Sequence, residues 1–414
     1  MPVQDLTQLK TQVERAVAEA KITDIHTHLY SPAFGDLLLW GFDELVNYHY
    51  LVAETLRISD IPYEEFWALS REQRTDLIWK TLFLDNSPYS EACRGVLTVL
   101  NELGLDVGSR DVSAFREYYR NQTVHGFIDK AFEVANIDSV VMTNDPFDAQ
   151  ERKVWLEGFE VDPRFKAALR LDPLLVFWDK SYADLKAWGY DVDVALSARS
   201  LKEIRRFLSD WIKRMDPVYM AVSLPSSFRY PADNACAKII EECVLPVSRE
   251  HNVPFALMIG VKRQVNPGLR LAGDGLGKSD ISAVEYLCAN YPDNKFLCTM
   301  LSRENQHELA VNARKFRNLL VFGCWWFLNN PSLIEEITRM RFELLGVSVI
   351  PQHSDARVLD QVIYKWAHSR EIIAKVLVDE YSDLARTGWQ VSEDEIRRDV
   401  NNLFGGNFWS FLEK

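Results

Sequence analysis

The chain has 414 residues, 47% of them hydrophobic and 12% aromatic, which is ample apolar material for a large core. Its formal net charge of -13 argues against a nucleic acid or an acidic membrane as partner, although a few arginines in a cleft can still set a local field for an anionic substrate. No run approaches the roughly 20 apolar residues of a membrane helix.

At the N-terminus, Leu6, Leu9, Val13 and Val17 recur at helical spacing between Lys10, Glu14 and Arg15. This predicts an amphipathic helix, not a signal peptide. A first strand follows over Ile22–Leu29 (ITDIHTHL). Residues 31–137 then read as a mostly helical insertion, with helices at Phe42–Leu56, Tyr63–Leu69, Glu72–Phe83, Ala92–Leu103 and Val112–Arg120. An independent helical domain is the alternative. A lid is the better reading, because the segment starts at the end of a strand.

Seven more strand-like runs come next: Ser139–Thr143, Phe165–Leu171, Val218–Leu224, Val253–Val261, Lys295–Leu301, Asn318–Cys324 and Val347–Gln352. Helical patterns such as Leu201–Met215 and Glu335–Leu345 separate most of them. Eight strands alternating with helices imply an α/β fold, a closed (β/α)₈ TIM-like barrel, as one domain over residues 1–414. The link between the second and third strands is short, so an irregular crossover is expected there. Glu393–Leu412 reads as a helix with an aromatic tail (Phe404, Phe408, Trp409, Phe411) packed on the barrel. The six cysteines are scattered without a CxxC pair, and several sit in apolar runs. They read as buried thiols in a reducing compartment, the cytoplasm.

His26-Thr27-His28 carries the sharpest chemistry. Strand residues two apart point the same way, so both imidazoles face one side at the C-terminal end of the first strand, where barrel enzymes place their sites. Imidazole is the commonest metal ligand. Gln352-His353-Ser354-Asp355-Ala356-Arg357 follows the eighth strand, which neighbours the first in a closed barrel. Asp355 can therefore complete a metal site with His26 and His28, or act as a proton-transfer base. It can equally be the N-cap of the next helix.

DIHTHL after an N-terminal helix, GFDELVNYHYLVAETLR, FGCWWFLNNP and SDAR together resemble the uronate isomerase family of the amidohydrolase superfamily, in its divergent bacterial branch. The likeness spans nearly the whole chain. It implies one divalent metal, zinc by preference, on His26, His28 and Asp355. It also implies a substrate-facing His49-Tyr50 pair, Arg170 and Arg303 as cations for the sugar acid, Arg357 beside the catalytic aspartate, and Trp325 as a pocket wall. Hydrolases of that superfamily add histidines at the ends of strands five and six, whereas here those strands end around Met258–Val261 and Met300–Leu301. A mononuclear site is expected.

The residues by themselves leave alternatives. His49-Tyr50 fits a core aromatic pair. Arg170 fits an ion pair with Asp172 or Asp145, and Arg303 one with Glu304. His353 shares parity with Asp355 and is placed to orient it. Asp145, before Pro146, fits either a substrate contact or a turn.

The resemblance implies an intramolecular oxidoreductase, an aldose–ketose isomerase. It would convert D-glucuronate to D-fructuronate and D-galacturonate to D-tagaturonate by proton transfer between C2 and C1. Asp355 or solvent on the metal would be the base, Tyr50 with His49 the shuttle to oxygen, and Arg357 the stabiliser of oxygen charge. A metal-dependent hydrolase of a small sugar-derived acid or lactone is the alternative on the same scaffold. A homo-oligomer stays open.

Overall fold

Parallel strands need long crossovers, and the runs read above are spaced to supply them. The computed structural model describes residues 6–414. Its strands are β1 (Ile22–Thr27), β2 (Ile137–Asn144), β3 (Phe165–Arg170), β4 (Met220–Pro225), β5 (Phe255–Lys262), β6 (Gly275–Leu276), β7 (Phe296–Met300) and β8 (Leu319–Val321). Seven of them lie side by side in the order β1-β2-β3-β4-β5-β7-β8, all parallel. The short β6 is an antiparallel flap on β5.

The stretch expected as an eighth barrel strand, Val347–Gln352, closes the ring without forming a ladder. Ile350 bridges Phe322, with Gly323 N donating to Ile350 O at 2.7 Å. On the other edge Asp355 N donates to His26 O at 3.1 Å, and His28 N to Ala356 O at 2.7 Å. Pro351 brings no N–H, so only a single bridge fits between these contacts.

Inside the ring, Ile25, Val141, Ala168, Ala256, Met258 and Leu297 form one apolar cluster. Phe408 and Phe411 of the C-terminal tail belong to it, and Trp409 Nε1 donates to Thr23 Oγ1 at the start of β1. The tail thus seals the N-terminal end of the barrel and leaves the C-terminal end for chemistry. A second, larger cluster fills the space between sheet and helices. The link between β2 and β3 holds a regular helix, Ala149–Glu157, rather than an irregular crossover.

Between β1 and β2 the chain is helical almost throughout. The expected helix Phe42–Leu56 is broken: Phe42–Val46 and His49–Ile58 flank an extended Tyr48 (φ -60°, ψ 140°). Asn47 holds the break through Nδ2, which donates to Asp43 O, Arg71 O and Thr75 Oγ1. This segment is pinned to the C-terminal side of the barrel. Leu359 N donates to Leu39 O, Asp360 accepts from Gly41 N and Tyr119 Oη, and Trp67 Nε1 donates to Gly268 O beyond β5. The helix Val124–Ala135, which the sequence pattern did not single out, packs on β2 and on the long helix Gln361–Arg386. Among the described residues no helix is long and apolar enough to cross a membrane.

Candidate metal centre and substrate site

His26 lies in β1 and His28 just beyond it. Strict alternation would turn Asp24 the same way as His26. Instead β1 shifts register against β2 between Asp24 and Thr27. Asp24 consequently bonds Trp366 Nε1 on the long outer helix at 2.8 Å, while His26 sits against Phe322 and His353. The His26 and His28 rings are 5.5 Å apart, edge to face.

Asp355 stands in a left-handed conformation, φ 52°, which Asp tolerates better than most side chains. The turn is fixed on both sides of it: Ser354 N donates to Asp24 Oδ1 at 3.0 Å, and Arg357 N to Gln361 Oε1 at 2.8 Å. The helix starts only at Gln361, with Asp360 before it, so Asp355 is no N-cap. Its Oδ1 lies 3.6 Å from His26 Nε2 and 3.5 Å from His28 Nε2, and makes no hydrogen bond.

The protons on these imidazoles can be deduced from their neighbours. The Tyr219 hydroxyl donates to Ile25 O at 2.7 Å, so towards His26 Nδ1, 3.1 Å away, it can only accept. Thr143 Oγ1 donates to Thr27 O at 3.0 Å and so accepts from His28 Nδ1 at 2.9 Å. Both histidines carry their proton on Nδ1. Both Nε2 lone pairs then point at Asp355 Oδ1, and three acceptors face one another with no proton between them. Burial pushes His26 down to about 3 and His28 well below its usual value, so neither imidazole is charged near neutrality. It pushes the Asp355 carboxyl up. An arrangement of two neutral imidazoles and a carboxylate, all lone pairs inward and oriented by outer hydrogen bonds, fits a divalent cation. The three ligand atoms lie within 4.8 Å of one another, and among the described residues they are the one such group. Towards the ends of β5 and β7, where further ligands would stand, Met258, Val261, Met300 and Leu301 are buried and apolar, and neither strand carries a histidine or a carboxylate.

Other expected residues gather around this centre. His49 opens the second helix after the Asn47 break, and its Nε2 accepts from Trp326 Nε1 at 3.3 Å. Indole can only donate, so His49 is neutral with its proton on Nδ1, and burial pushes it down to about 3. The Tyr50 hydroxyl is buried with no hydrogen bond of ordinary geometry. Arg170, at the end of β3, donates to Asp172 Oδ1 at 2.9 Å, the ion pair weighed in the sequence, and its charge also acts on His26 and His28. Arg357 is exposed beyond Asp355, and its guanidinium makes no hydrogen bond or ion pair among the described residues. Its field acts on His28, His49 and Asp355.

Three expectations change. Arg303 is not brought to the centre: it is 55% exposed and pairs with Glu336 at 2.9 Å, because the short helical turn Arg303–Asn305 carries it outwards after β7. Trp325 is 3% exposed in the inner cluster, and its neighbour Trp326, at φ 48°, meets His49 instead. His353 is buried with both ring nitrogens unbonded, so no hydrogen bond from it orients Asp355. It fits because Gly323, at φ +65°, leaves room where a Cβ would lie 1.8 Å from the ring. Asp145 accepts from Phe147 N at 2.9 Å, the turn reading. Tyr219, Thr143 and Lys365 were not singled out from the sequence. Lys365 had one signal, a lysine flanked in sequence by Tyr364 and Trp366.

Fold and site together define a TIM-like barrel enzyme with a potential mononuclear metal centre at the C-terminal ends of its first and last strands. No family model and no curated protein matches the chain. Among solved structures, an uronate isomerase from Bacillus halodurans C-125 is 56% identical, with the match covering 100% of this chain and 98% of that one at a TM-score of 0.98. This chain belongs to the uronate isomerase family. An uronate isomerase from Thermotoga maritima (16% identity, 98% and 97% covered, TM-score 0.78) and a glucuronate isomerase from Caulobacter crescentus (15%, 100% and 95%, 0.77) share the fold.

Proposed function

We propose that the protein isomerises D-glucuronate to D-fructuronate and D-galacturonate to D-tagaturonate. The observation that carries this is the convergence of His26, His28 and Asp355 with the buried Tyr50 hydroxyl and the unpaired Arg357, in a chain matching a uronate isomerase end to end. In this reading the three ligands hold one divalent ion, zinc by the preference of two imidazoles and a carboxylate, though other first-row ions suit such a set. When bound, the ion supplies Lewis-acid polarisation of the substrate's oxygens.

Asp355 turns Oδ1 to the imidazoles and offers Oδ2 to the sugar. That carboxylate removes the C2 proton of the open-chain aldehyde. The C–H electron pair becomes the C1=C2 bond, and the carbonyl pair moves to O1. Tyr50 gives O1 its proton and receives the one from O2 as the C2 carbonyl forms. Asp355 returns its proton to C1. His49, held neutral by Trp326, is a hydrogen-bond donor through Nδ1 that orients substrate; with Nε2 engaged, it is no base. Arg357 offsets the developing oxygen charge and Arg170 meets the C6 carboxylate. The segment 31–137 acts as a lid that brings His49 and Tyr50 to the mouth. Six free thiols, five of them buried, support a reducing cytoplasmic setting.

The test is an isomerase assay on both uronates with product identification, run beside lactone and amide substrates. Ketose formation without hydrolysis is expected. Hydrolysis alone would refute the reading. β5 and β7 favour the first outcome, because they add no histidine or carboxylate ligand for a hydrolytic centre.

A further inference from the structure

The long helix Gln361–Arg386 buries a charge for which the reaction just described has no use. Lys365 is 3% exposed, between Tyr364 and Trp366. Its ammonium has no hydrogen bond and no ion pair among the described residues. Its Nζ stands 5.9 Å from the Tyr50 ring centre and 5.4 Å from that of Tyr364.

Burial is the largest influence on it and pulls its pKa down to about 8; three carboxylates oppose that through space, Asp355 most strongly, then Glu91 and Asp24. Two of these are already engaged. Asp24 accepts from Ser354 N and Trp366 Nε1, and Glu91 from Arg94 and the His368 ring. That leaves Asp355, which is itself one of the three candidate metal ligands. The positive field of Lys365 also reaches His49 and His353. An unpaired ammonium is costly to bury, and straight-chain apolar residues of the same length would fill the same space without that cost. Two buried oxygens without hydrogen bonds, the Tyr50 hydroxyl and Asp355 Oδ1, thus lie within the field of the Lys365 ammonium, which stands over the Tyr50 ring.

We propose that Lys365 is a further catalytic residue, whose ammonium donates a hydrogen bond to the substrate oxygen that becomes negative as C2 loses its proton. The lysine transfers no proton itself. It is a preorganised positive charge beside Tyr50, placed before the substrate arrives, and it is most strongly engaged when charge is greatest in the transition state. Arg357 approaches from the exposed rim, whereas Lys365 approaches from the buried wall. The two cations then bracket the reacting end, while Arg170 holds the other. The inference rests on the isomerase reading.

The test compares the metal-loaded wild type with two variants, K365M and K365R, with kcat, KM and Tm measured for each. If the charge serves the transition state, K365M loses about 10²-fold in kcat with KM changed little. Its Tm stays level or rises, because an unpaired buried charge has been removed. K365R, which keeps the charge in a larger head group, recovers part of kcat. A K365M enzyme as active as wild type, or one that no longer folds, would overturn the role, the second because the lysine would then be structural. A wild type with no isomerase activity on either uronate would overturn the functional reading itself, and the lysine's role with it.

Discussion

Replacing Tyr219 by Phe tests the proton assignment on which the metal centre depends. The hydroxyl makes two buried bonds: it donates to Ile25 O at 2.7 Å and accepts from His26 Nδ1 at 3.1 Å. Tyr219 is fully buried and Phe fills nearly the same volume, so packing changes little. Removing the oxygen leaves a buried N–H and a buried carbonyl without partners, each costing about 1–3 kcal/mol. The part that falls on His26 matters for binding. Without an acceptor at Nδ1 the imidazole is free to carry its proton on Nε2, which removes the lone pair from the centre. A loss of about 1.4–2.7 kcal/mol in metal affinity corresponds to 10–100-fold, the usual effect of deleting an outer partner of a metal-bound histidine. Competition against a chelator of known affinity measures it directly. The protein should also lose some thermal stability in the metal-free state, from the Ile25 carbonyl. An Y219F protein with unchanged metal affinity would refute the assignment, because His26 would then need no acceptor to present Nε2.

Asp355→Asn should abolish turnover on uronates while circular dichroism stays native; near-normal kcat in that variant would remove Asp355 from proton transfer. Trp326→Phe takes away the donor to His49 Nε2 and should reduce kcat/KM by about tenfold, the value of one buried hydrogen bond, whereas an unchanged kcat/KM would show that His49 needs no such partner. Arg303→Ala should leave kcat/KM within about twofold, since its exposed pair with Glu336 lies away from the centre; a large rise in KM would return it to the substrate site. Burial holds His49 at about 3, against about 6.5 in the unfolded chain, so between those values the unfolded state binds the extra proton. Its contribution to stability is therefore present above pH 6.5 and lost as pH falls from there towards 3. Urea titrations of His49→Phe between pH 7 and 4 should show a shallower fall than wild type, and an identical slope would mean that His49 is not neutral when buried.

Much of this protein is written locally. Apolar runs bounded by turns mark β1 to β5, β7 and β8, because a strand buried on both faces reads as a continuous hydrophobic stretch wherever it sits. His26-Thr27-His28 and Asp355 are legible for a related reason: the ends of barrel strands are where polar side chains interrupt such runs. What is not local had to come from the fold. The register shift that parts Asp24 from His26 depends on pairing with a strand more than a hundred residues away. The break at Asn47 that puts His49 at a helix start is held by Arg71 and Thr75. Adjacent tryptophans look alike in sequence, and only the left-handed turn at Trp326 decides which one meets His49. Arg170 ends β3 and Arg303 follows β7, yet one stays beside Asp172 and the other turns out to solvent. Lys365 gives the sharpest case. Its flanking aromatic residues announce burial, but only the tertiary fold brings its charge to 5.9 Å from the ring centre of Tyr50, more than three hundred residues earlier in the chain. Hydrophobic pattern and residue type determine which elements form and which groups can bind a metal. Side-chain convergence is set by register, crossover and turn geometry, which are properties of the closed barrel and not of any one segment.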